Sequence, residues 1–206
     1  MPSPQHSRKA HKKAAACLKE VKKSAGKNTR LLTIYKDYLK KERATIRKLH
    51  RKGQTGRQIA VARSSMMDVL IDDAFEHFLE VTESVEKTGK ENPITLMASG
   101  GYGRGELNPG SDIDLQFLVP GSSHSLKDCI KELVNQFSLL LFDLGLEVSY
   151  PVRSVKEACK FANKDHQTKT TLLDARFIAG DEKLFETFET AFFDQCIRGH
   201  EKSYLS

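Results

Sequence analysis

The stretch of this sequence that decides the fold is residues 100–115, which read GGYGRGELNPGSDIDL. It follows a short apolar run, 94–98, that is typical of a buried strand. Because Gly100 and Gly101 have no Cβ, the backbone after that strand can approach a ligand closely. If a short helix begins there, its free N–H groups form a site for phosphate oxygens. The start of the segment therefore predicts a turn that holds phosphate.

The end of the same segment places two carboxylates on one side of a strand. Asp112 and Asp114 alternate with apolar residues, and side chains two positions apart in a strand point to the same face. Two neighbouring carboxylates repel each other unless a cation lies between them. Mg²⁺ prefers carboxylate, water and phosphate oxygens as ligands. The pattern predicts a divalent metal site at the start of a strand over 113–119.

A third carboxylate, Glu147, lies between apolar neighbours in another predicted strand, 144–152. If that strand pairs beside 113–119, Glu147 faces the same cleft as Asp112 and Asp114. Three acids, two metal ions and a phosphate-binding turn suit in-line nucleotidyl transfer, in which one metal activates the attacking hydroxyl and the other binds the triphosphate. A dinucleotide-binding fingerprint fits less well, because the glycines precede an acidic strand and not a long helix.

The rest of the chain predicts helices around a small mixed sheet. Helices are indicated where apolar residues recur at steps of three and four. Together with the strands, they predict an α+β fold with a helical N-terminal region. The predicted helices are 31–52, 57–87, 126–142, 157–162, 168–174 and 181–197, and a fourth strand is predicted at 176–179.

Charge divides the chain into two parts. Residues 1–60 carry 18 basic and 3 acidic side chains, whereas residues 61–206 carry 15 and 24, so the net charge of +6 originates in the N-terminal part. We expect a flexible basic arm over 1–30, a helical region over 31–90 and a catalytic core over 91–206. The acidic remainder argues against nucleic-acid binding, for which the basic arm is the one candidate contact.

Several classes of protein are excluded by composition. No apolar run approaches the roughly 20 residues that span a bilayer, and the polar start is not a secretory signal. The four cysteines are far apart and form no CxxC pair, which argues against a zinc ribbon or a disulfide scaffold. These features predict a cytoplasmic protein without a membrane partner.

Residues 100–115 resemble the signature of the polymerase-β-type nucleotidyltransferase superfamily. More narrowly, they are similar to the N-terminal domain of the [protein-PII] uridylyltransferase/uridylyl-removing enzyme family. Segments 145–148, 152–157 and 171–181 also follow that family, and the resemblance covers about 45–198. It implies a polymerase-β-type nucleotidyltransferase domain, in agreement with the α+β prediction.

The resemblance also implies roles for single residues. Gly100 and Gly101 are expected to hold the nucleotide phosphates. Asp112 and Asp114 are expected to be the catalytic, metal-binding acids, with Glu147 as the third. The implied cofactor is Mg²⁺ in a two-metal site, and the implied substrate is UTP.

Two more polar residues of the segment are expected to bind nucleotide. Ser111 is expected to contact the triphosphate through its hydroxyl or its N–H. Arg104 is expected either to pair with phosphate or to form a salt bridge with Glu106, and the sequence does not decide between these. Arg153 has the same two interpretations, a nucleotide contact or a structural one.

The activity implied by the resemblance is transfer of UMP from UTP to a tyrosine hydroxyl of a PII-type nitrogen regulatory protein, with release of pyrophosphate. Two alternatives stay open. One is transfer of another nucleotidyl group, such as AMP, to a different acceptor. The other is a non-catalytic, nucleotide-binding regulatory domain or fragment. The hydrolase and ligand-sensing domains of the family are absent from these 206 residues, so uridylyl removal is not expected of them.

Overall fold

The computed structural model describes residues 4–25, 29–85 and 93–199, and in that part of the chain eight α-helices flank one five-stranded sheet. This architecture confirms the predicted α+β class. The helices are α1 Pro4–Ser24, α2 Leu31–Arg51, α3 Gly56–Val85, α4 Gly100–Gly103, α5 Asp128–Asp143, α6 Val155–Lys164, α7 His166–Leu173 and α8 Glu182–Phe192. The strands are β1 Thr95–Ala98, β2 Ile113–Val119, β3 Val148–Ser149, β4 Val152–Ser154 and β5 Arg176–Gly180.

The sheet is mixed, and β2 lies inside it. β1 pairs antiparallel with β2 on one side and with β5 on the other. Both β3 and β4 run parallel to β2. β3 pairs with the first two residues of β2, Ile113 and Asp114, and β4 pairs with the last three, 117–119. The acidic start of β2 therefore lies beside β3.

The prediction of one continuous strand over 144–152 is wrong. The structure has two short strands there, β3 and β4, separated by Tyr150 and Pro151. Proline has no N–H to donate to a ladder, and at Pro151 only the carbonyl oxygen is bonded, by the N–H of Phe117 at 3.0 Å. As a result, Glu147 precedes β3 and does not lie within a strand.

The expectation of a flexible arm over 1–30 is also wrong where the structure describes it, because α1 packs against α3. Ala14, Leu18 and Val21 lie on one face of α1 and are 1%, 4% and 3% exposed. Burial of such a narrow apolar stripe stabilises a helix whose other faces are charged. The ends of the predicted arm lie partly outside the described residues.

The largest hydrophobic core is shared by the N-terminal helices and the sheet. It includes Tyr35 of α2, Phe117 of β2 and Phe137 of α5, all 0% exposed. The rings of Phe117 and Phe137 pack edge to face with centroids 5.6 Å apart. The predicted regions 31–90 and 91–206 therefore share one core.

The opposite face of the sheet supports a smaller core. Met97 of β1 and Leu118 of β2 are 0% exposed and pack there with buried residues of α6, α7 and α8. The sheet thus separates two apolar layers. The polar side chains of β2 lie on the face that carries the smaller layer, at the edge of that layer.

The longest helix, α3, has 30 residues. The sequence predicts it over 57–87, and its last predicted residues lie outside the described part of the chain. Neither α3 nor any other helix in the described ranges is long and apolar enough to cross a membrane.

Candidate active site

The glycine turn brings the backbone of Gly100 against the carboxylate of Asp114. After β1, Ser99 is extended and α4 begins at Gly100, which has a φ of +57°. A Cβ at Gly100 would lie 3.1 Å from Asp114 Oδ2. The positive φ favours glycine, and an added Cβ would press on the carboxylate of Asp114. Two residues that the sequence assigned to the site are therefore in contact.

Asp114 lies on β2, and Asp112 comes directly before this strand. Ile113 and Leu115 are buried in the large core, at 3% and 1% exposure. Asp114 alternates with them and is partly buried, and Asp112 is exposed. Of the two carboxylates, that of Asp114 lies next to the turn.

Glu147 lies beside Asp112, not beside Asp114. The N–H of Ile113 donates to the carbonyl oxygen of Glu147 at 2.9 Å, and β3 continues in parallel register with β2. Asp112 and Glu147 both line a cavity of about 570 Å³. The residue opposite Asp114 is Ser149, whose hydroxyl donates to Asp114 Oδ1 at 3.1 Å.

The expected three-carboxylate metal site is not formed. Within residues 4–25, 29–85 and 93–199, no three His, Cys, Asp or Glu side chains are grouped closely enough to hold a metal ion. The donor set of Asp112 and Asp114 still fits Mg²⁺, because this ion commonly uses one or two carboxylates and takes its other ligands from water and substrate phosphates.

Ser111 contributes a hydroxyl but not a free N–H. Its N–H donates to the carbonyl oxygen of Asn108 at 3.3 Å and closes the loop before β2. Its side chain is exposed. Of the two contacts with triphosphate that the sequence left open, the hydroxyl is the one that the geometry leaves available.

Arg104 forms an ion pair with Asp174, at the end of α7. The alternative salt bridge between Arg104 and Glu106 is therefore wrong, since Glu106 accepts from Arg57 Nε at 2.9 Å. Arg104 Nη2 would lie 3.8 Å from a Cβ at Gly101. Its side chain is 52% exposed, so it can also reach an anion at the turn.

Arg176 is a site residue that sequence reasoning missed. Its guanidinium binds both carboxylate oxygens of Asp68 on α3, at 2.9 and 3.2 Å. The same group donates to the carbonyl oxygens of Tyr102 and Gly103 at 3.1 and 3.0 Å. The family-like segment 171–181 contains Arg176, but nothing in the pattern shows that it holds the glycine turn.

Gln116 is the next residue on the acidic face of β2, and it is buried at 2% exposure. Its Oε1 accepts from Arg153 Nη1 at 3.1 Å. The guanidinium of Arg153 also lies 4.3 Å from the ring centroid of Phe161. Burial lowers the pKa of Arg153, and the charge of Glu157 only partly offsets this effect. The structure thus gives Arg153 a structural contact at the inner end of the acidic face.

Comparison with known proteins identifies the class of this site. The family model described as "Nucleotidyltransferase domain" matches residues 80–178, which contain the glycine turn and all three acids. This region of the chain is therefore similar to the nucleotidyltransferase domain family, and the enzyme class that the similar proteins support is nucleotidyltransferase.

The curated relatives are named more narrowly. "Bifunctional uridylyltransferase/uridylyl-removing enzyme" is the name of similar proteins from Rhodospirillum rubrum (34% identical over 84% of this chain) and Novosphingobium aromaticivorans (30% over 78%). A third, from Erythrobacter litoralis, is 28% identical over 95% of this chain. The chain spans 18%, 17% and 21% of these three proteins.

A solved structure described as "Crystal structure of the toxin-antitoxin with AMP-PNP" is also similar in part. It aligns with 65% of this chain and 92% of its own, with a TM-score of 0.39 and 14% sequence identity. A likeness of this size supports no statement about function.

Proposed function

We propose that this chain transfers a nucleotidyl group, most specifically UMP from UTP, to a hydroxyl group of a partner protein. The observation that carries the proposal is the contact between Gly100 and Asp114, with Asp112 exposed beside it. In this arrangement, a backbone segment that a ligand can approach closely lies near two carboxylates. A nucleoside triphosphate needs such a pairing, since its phosphates require N–H donors and a carboxylate-bound cation.

The chain's own residues would bind and orient the triphosphate. At the turn, Gly101 would offer an N–H and Arg104 a cation to phosphate oxygens, and Ser111 would offer its exposed hydroxyl from the loop before β2. Asp112 and Asp114 would hold Mg²⁺, with Glu147 adjacent to Asp112. Bound Mg²⁺ supplies charge neutralisation at the phosphates and a lower pKa for the attacking hydroxyl.

The reaction exchanges one phosphoanhydride bond of UTP for a phosphoester bond to the acceptor. The acceptor oxygen bonds to the α-phosphorus of UTP, the bond from that phosphorus to the bridging oxygen breaks, and pyrophosphate leaves with the electron pair. The hydroxyl proton passes to solvent. Because Asp112 is exposed, an acceptor side chain can approach the acidic face from outside the molecule.

The names of the relatives support UTP as the donor, because all three are uridylyltransferases. We propose a tyrosine hydroxyl of a PII-type protein as the acceptor, on the family resemblance of the segment 100–115. The proposed location is cytoplasmic. All four cysteines are free thiols, as expected in a reducing compartment.

A non-catalytic nucleotide-binding role is the second candidate. The observation that favours it is the identity of the residue opposite Asp114, which is Ser149 and not a carboxylate. A site with two well-placed acids can bind a metal–nucleotide complex whether or not it positions an acceptor. The two candidates differ in whether pyrophosphate is released.

Asp114→Asn tests the catalytic proposal. We expect pyrophosphate release from UTP, with Mg²⁺ and a PII-type protein present, to fall by about 100-fold or more, because loss of a metal-binding carboxylate removes several kcal/mol of transition-state stabilisation. Asp128→Asn is the matched control, since Asp128 is 98% exposed at the start of α5. Pyrophosphate release and labelling of the acceptor are measured with each of the four nucleoside triphosphates.

The outcomes separate the candidates. Equal turnover by the Asp114→Asn and Asp128→Asn variants would contradict the role of Asp114. Binding of UTP without pyrophosphate release would support the non-catalytic role. Faster turnover with ATP than with UTP would show that the chain transfers AMP and not UMP.

A further inference from the structure

A second cavity, of about 390 Å³, lies between α2, α3 and the loop that leads to β2. The loop residues that line it are Asn108 and Pro109. None of Asp112, Asp114 and Glu147 is among its lining residues. The cavity is therefore separate from the candidate active site, although the loop beside it ends at Asp112.

The charged groups around this cavity all have the same sign. Arg43, Arg47 and His50 lie on one face of α2, at positions i, i+4 and i+7, and Arg63 faces them from α3. No carboxylate lines the cavity. Three arginines and a histidine therefore line one concave space.

These charges lack the acidic partners that other arginines of the chain have. Within the described ranges, Arg43, Arg47 and Arg63 form no ion pair, and Arg63 Nε is buried without a hydrogen-bond partner. Burial, and then the charge of Arg43, lowers the pKa of Arg63. Like charges held together in this way destabilise each other until an anion binds.

The remaining lining of the cavity is apolar, apart from one helix end. Ile46 and Ile59, at 7% and 8% exposure, form its floor together with Pro109. Gly56, the first residue of the 30-residue helix α3, also lines it and adds the positive end of the helix dipole. The cavity thus combines an apolar surface with converging donors for an anion.

We propose that this cavity binds a small organic phosphate, such as a nucleoside monophosphate, at a site other than the one for the reacting nucleotide. The guanidinium forks of Arg43, Arg47 and Arg63 match the geometry of phosphate oxygens. The apolar floor suits a planar base. The volume falls in the roughly 300–1,000 Å³ range of small-molecule pockets, which favours a small ligand over the acidic surface of a protein.

Isothermal titration of the whole chain with AMP tests this proposal. EDTA is present, so that no divalent cation can link the nucleotide to Asp112 or Asp114. The test variant is Arg43→Gln with Arg47→Gln, both exposed on α2. Its control is Lys36→Gln with Lys40→Gln, which lie on the same helix at the same spacing, are exposed, and are outside the cavity lining.

We expect AMP to bind the arginine variant at least about tenfold more weakly than the wild type, because two charge-assisted hydrogen-bond donors are lost. The lysine variant and Asp114→Asn should bind AMP as the wild type does. Inorganic phosphate should bind the wild type more weakly than AMP, because it leaves the apolar floor empty.

Four results would overturn the proposal. They are absence of AMP binding to the wild type, equal weakening by the arginine and lysine variants, loss of binding in Asp114→Asn, and equal binding of phosphate and AMP. Tighter binding of an oligo-glutamate peptide than of AMP, with loss in the arginine variant, would assign the cavity to an acidic protein segment instead.

Discussion

At the residue level, the glycine turn is shaped by groups that are distant in sequence. Arg176 holds the carbonyl oxygens of Tyr102 and Gly103, and Asp68 fixes the guanidinium from α3. A Cβ at Gly103 would lie 2.0 Å from the carbonyl oxygen of Asp174, so this position has no room for a side chain. The conformation of the turn thus depends on α3, α7 and β5 together.

The Gly100→Ala variant tests two effects of an added methyl group, which are strain in the backbone and contact with the carboxylate of Asp114. We expect it to lower the free energy of unfolding by about 1–2 kcal/mol, because alanine is strained at positive φ, and to weaken UTP binding, because its methyl group would press on Asp114. Gly105→Ala is the matched control, since its φ is +71° but nothing lies within 4 Å of an added Cβ. Urea denaturation and calorimetry with UTP and Mg²⁺ measure the two effects. Equal loss of UTP binding in both variants would contradict the assignment of Gly100.

Asp68→Asn tests the support for the turn. The substitution keeps the size of the side chain but removes the charge that binds Arg176 through two oxygens. We expect the free energy of unfolding to fall by about 1.5–3 kcal/mol, with weaker UTP binding as the turn loosens. Asp37→Asn, exposed on α2, should change the free energy of unfolding by less than about 0.5 kcal/mol. An unchanged stability of the Asp68 variant would show that the ion pair does not hold the turn.

The sequence could predict the site only where local spacing determines geometry. The placement of Asp114 away from the large core follows from the two-residue period of a strand, and the turn at Gly100 follows from the lack of a Cβ. The partner of Arg104 could not be predicted, because Asp174 is 70 residues away. The placement of Glu147 beside Asp112 depends on strand register, which one sequence does not specify.

At the level of elements, prediction succeeded where periodicity is long and failed at interruptions. β2 has the predicted bounds, 113–119, because neither proline nor glycine interrupts its run of mostly apolar residues. The segment 144–152 is equally apolar, but Tyr150 and Pro151 divide it into β3 and β4. Its apolar composition predicted that a strand forms there, whereas the missing N–H of proline decided where the ladder stops.

Helix α6 begins with a capping box that gives a pH-dependent stability. Glu157 accepts from the N–H of Ser154 and, with smaller effect, from Ser123, and these hydrogen bonds lower its pKa to about 2 from 4.5. Since the unfolded chain binds a proton at higher pH than the folded one, this stabilisation is complete above about pH 5 and is lost as the pH falls from 4.5 towards 2.

Glu157→Gln should therefore be less stable than the wild type at pH 7, and the difference should shrink below pH 4.5. Thermal unfolding from pH 7 to pH 2.5 measures it. Glu186→Gln, exposed on α8, is the control and should show no such convergence. A stability difference that stays constant down to pH 2.5 would contradict the capping role.

At the level of the whole molecule, the basic N-terminal residues are part of the folded body. Charge density predicted a flexible arm, because α1 is rich in lysine and has few large apolar residues. The three buried positions Ala14, Leu18 and Val21 have helical spacing, and this spacing indicated a helix that packs on the core. The average composition of such a helix is polar, so it does not reveal an apolar stripe that is only one residue wide.

Leu18→Ala tests whether α1 contributes to global stability. Leu18 is 4% exposed in the large core, so we expect the free energy of unfolding to fall by about 2–5 kcal/mol. Lys12→Ala, exposed on the same helix, should have little effect. Urea denaturation followed by circular dichroism gives both values. Equal stability of the two variants would mean that α1 is a free arm in solution.

One face of β2 changes from polar to apolar along its length, from Asp114 to Gln116 and Leu118, and Asp112 comes directly before the strand. Gln116 and Leu118 are 2% and 0% exposed, and Leu118 belongs to the smaller core. The inner end of this face is therefore closed to solvent. In the proposed site, nucleotide would enter from the end at Asp112, so a bulky neutral residue at position 112 should slow the exchange of bound nucleotide.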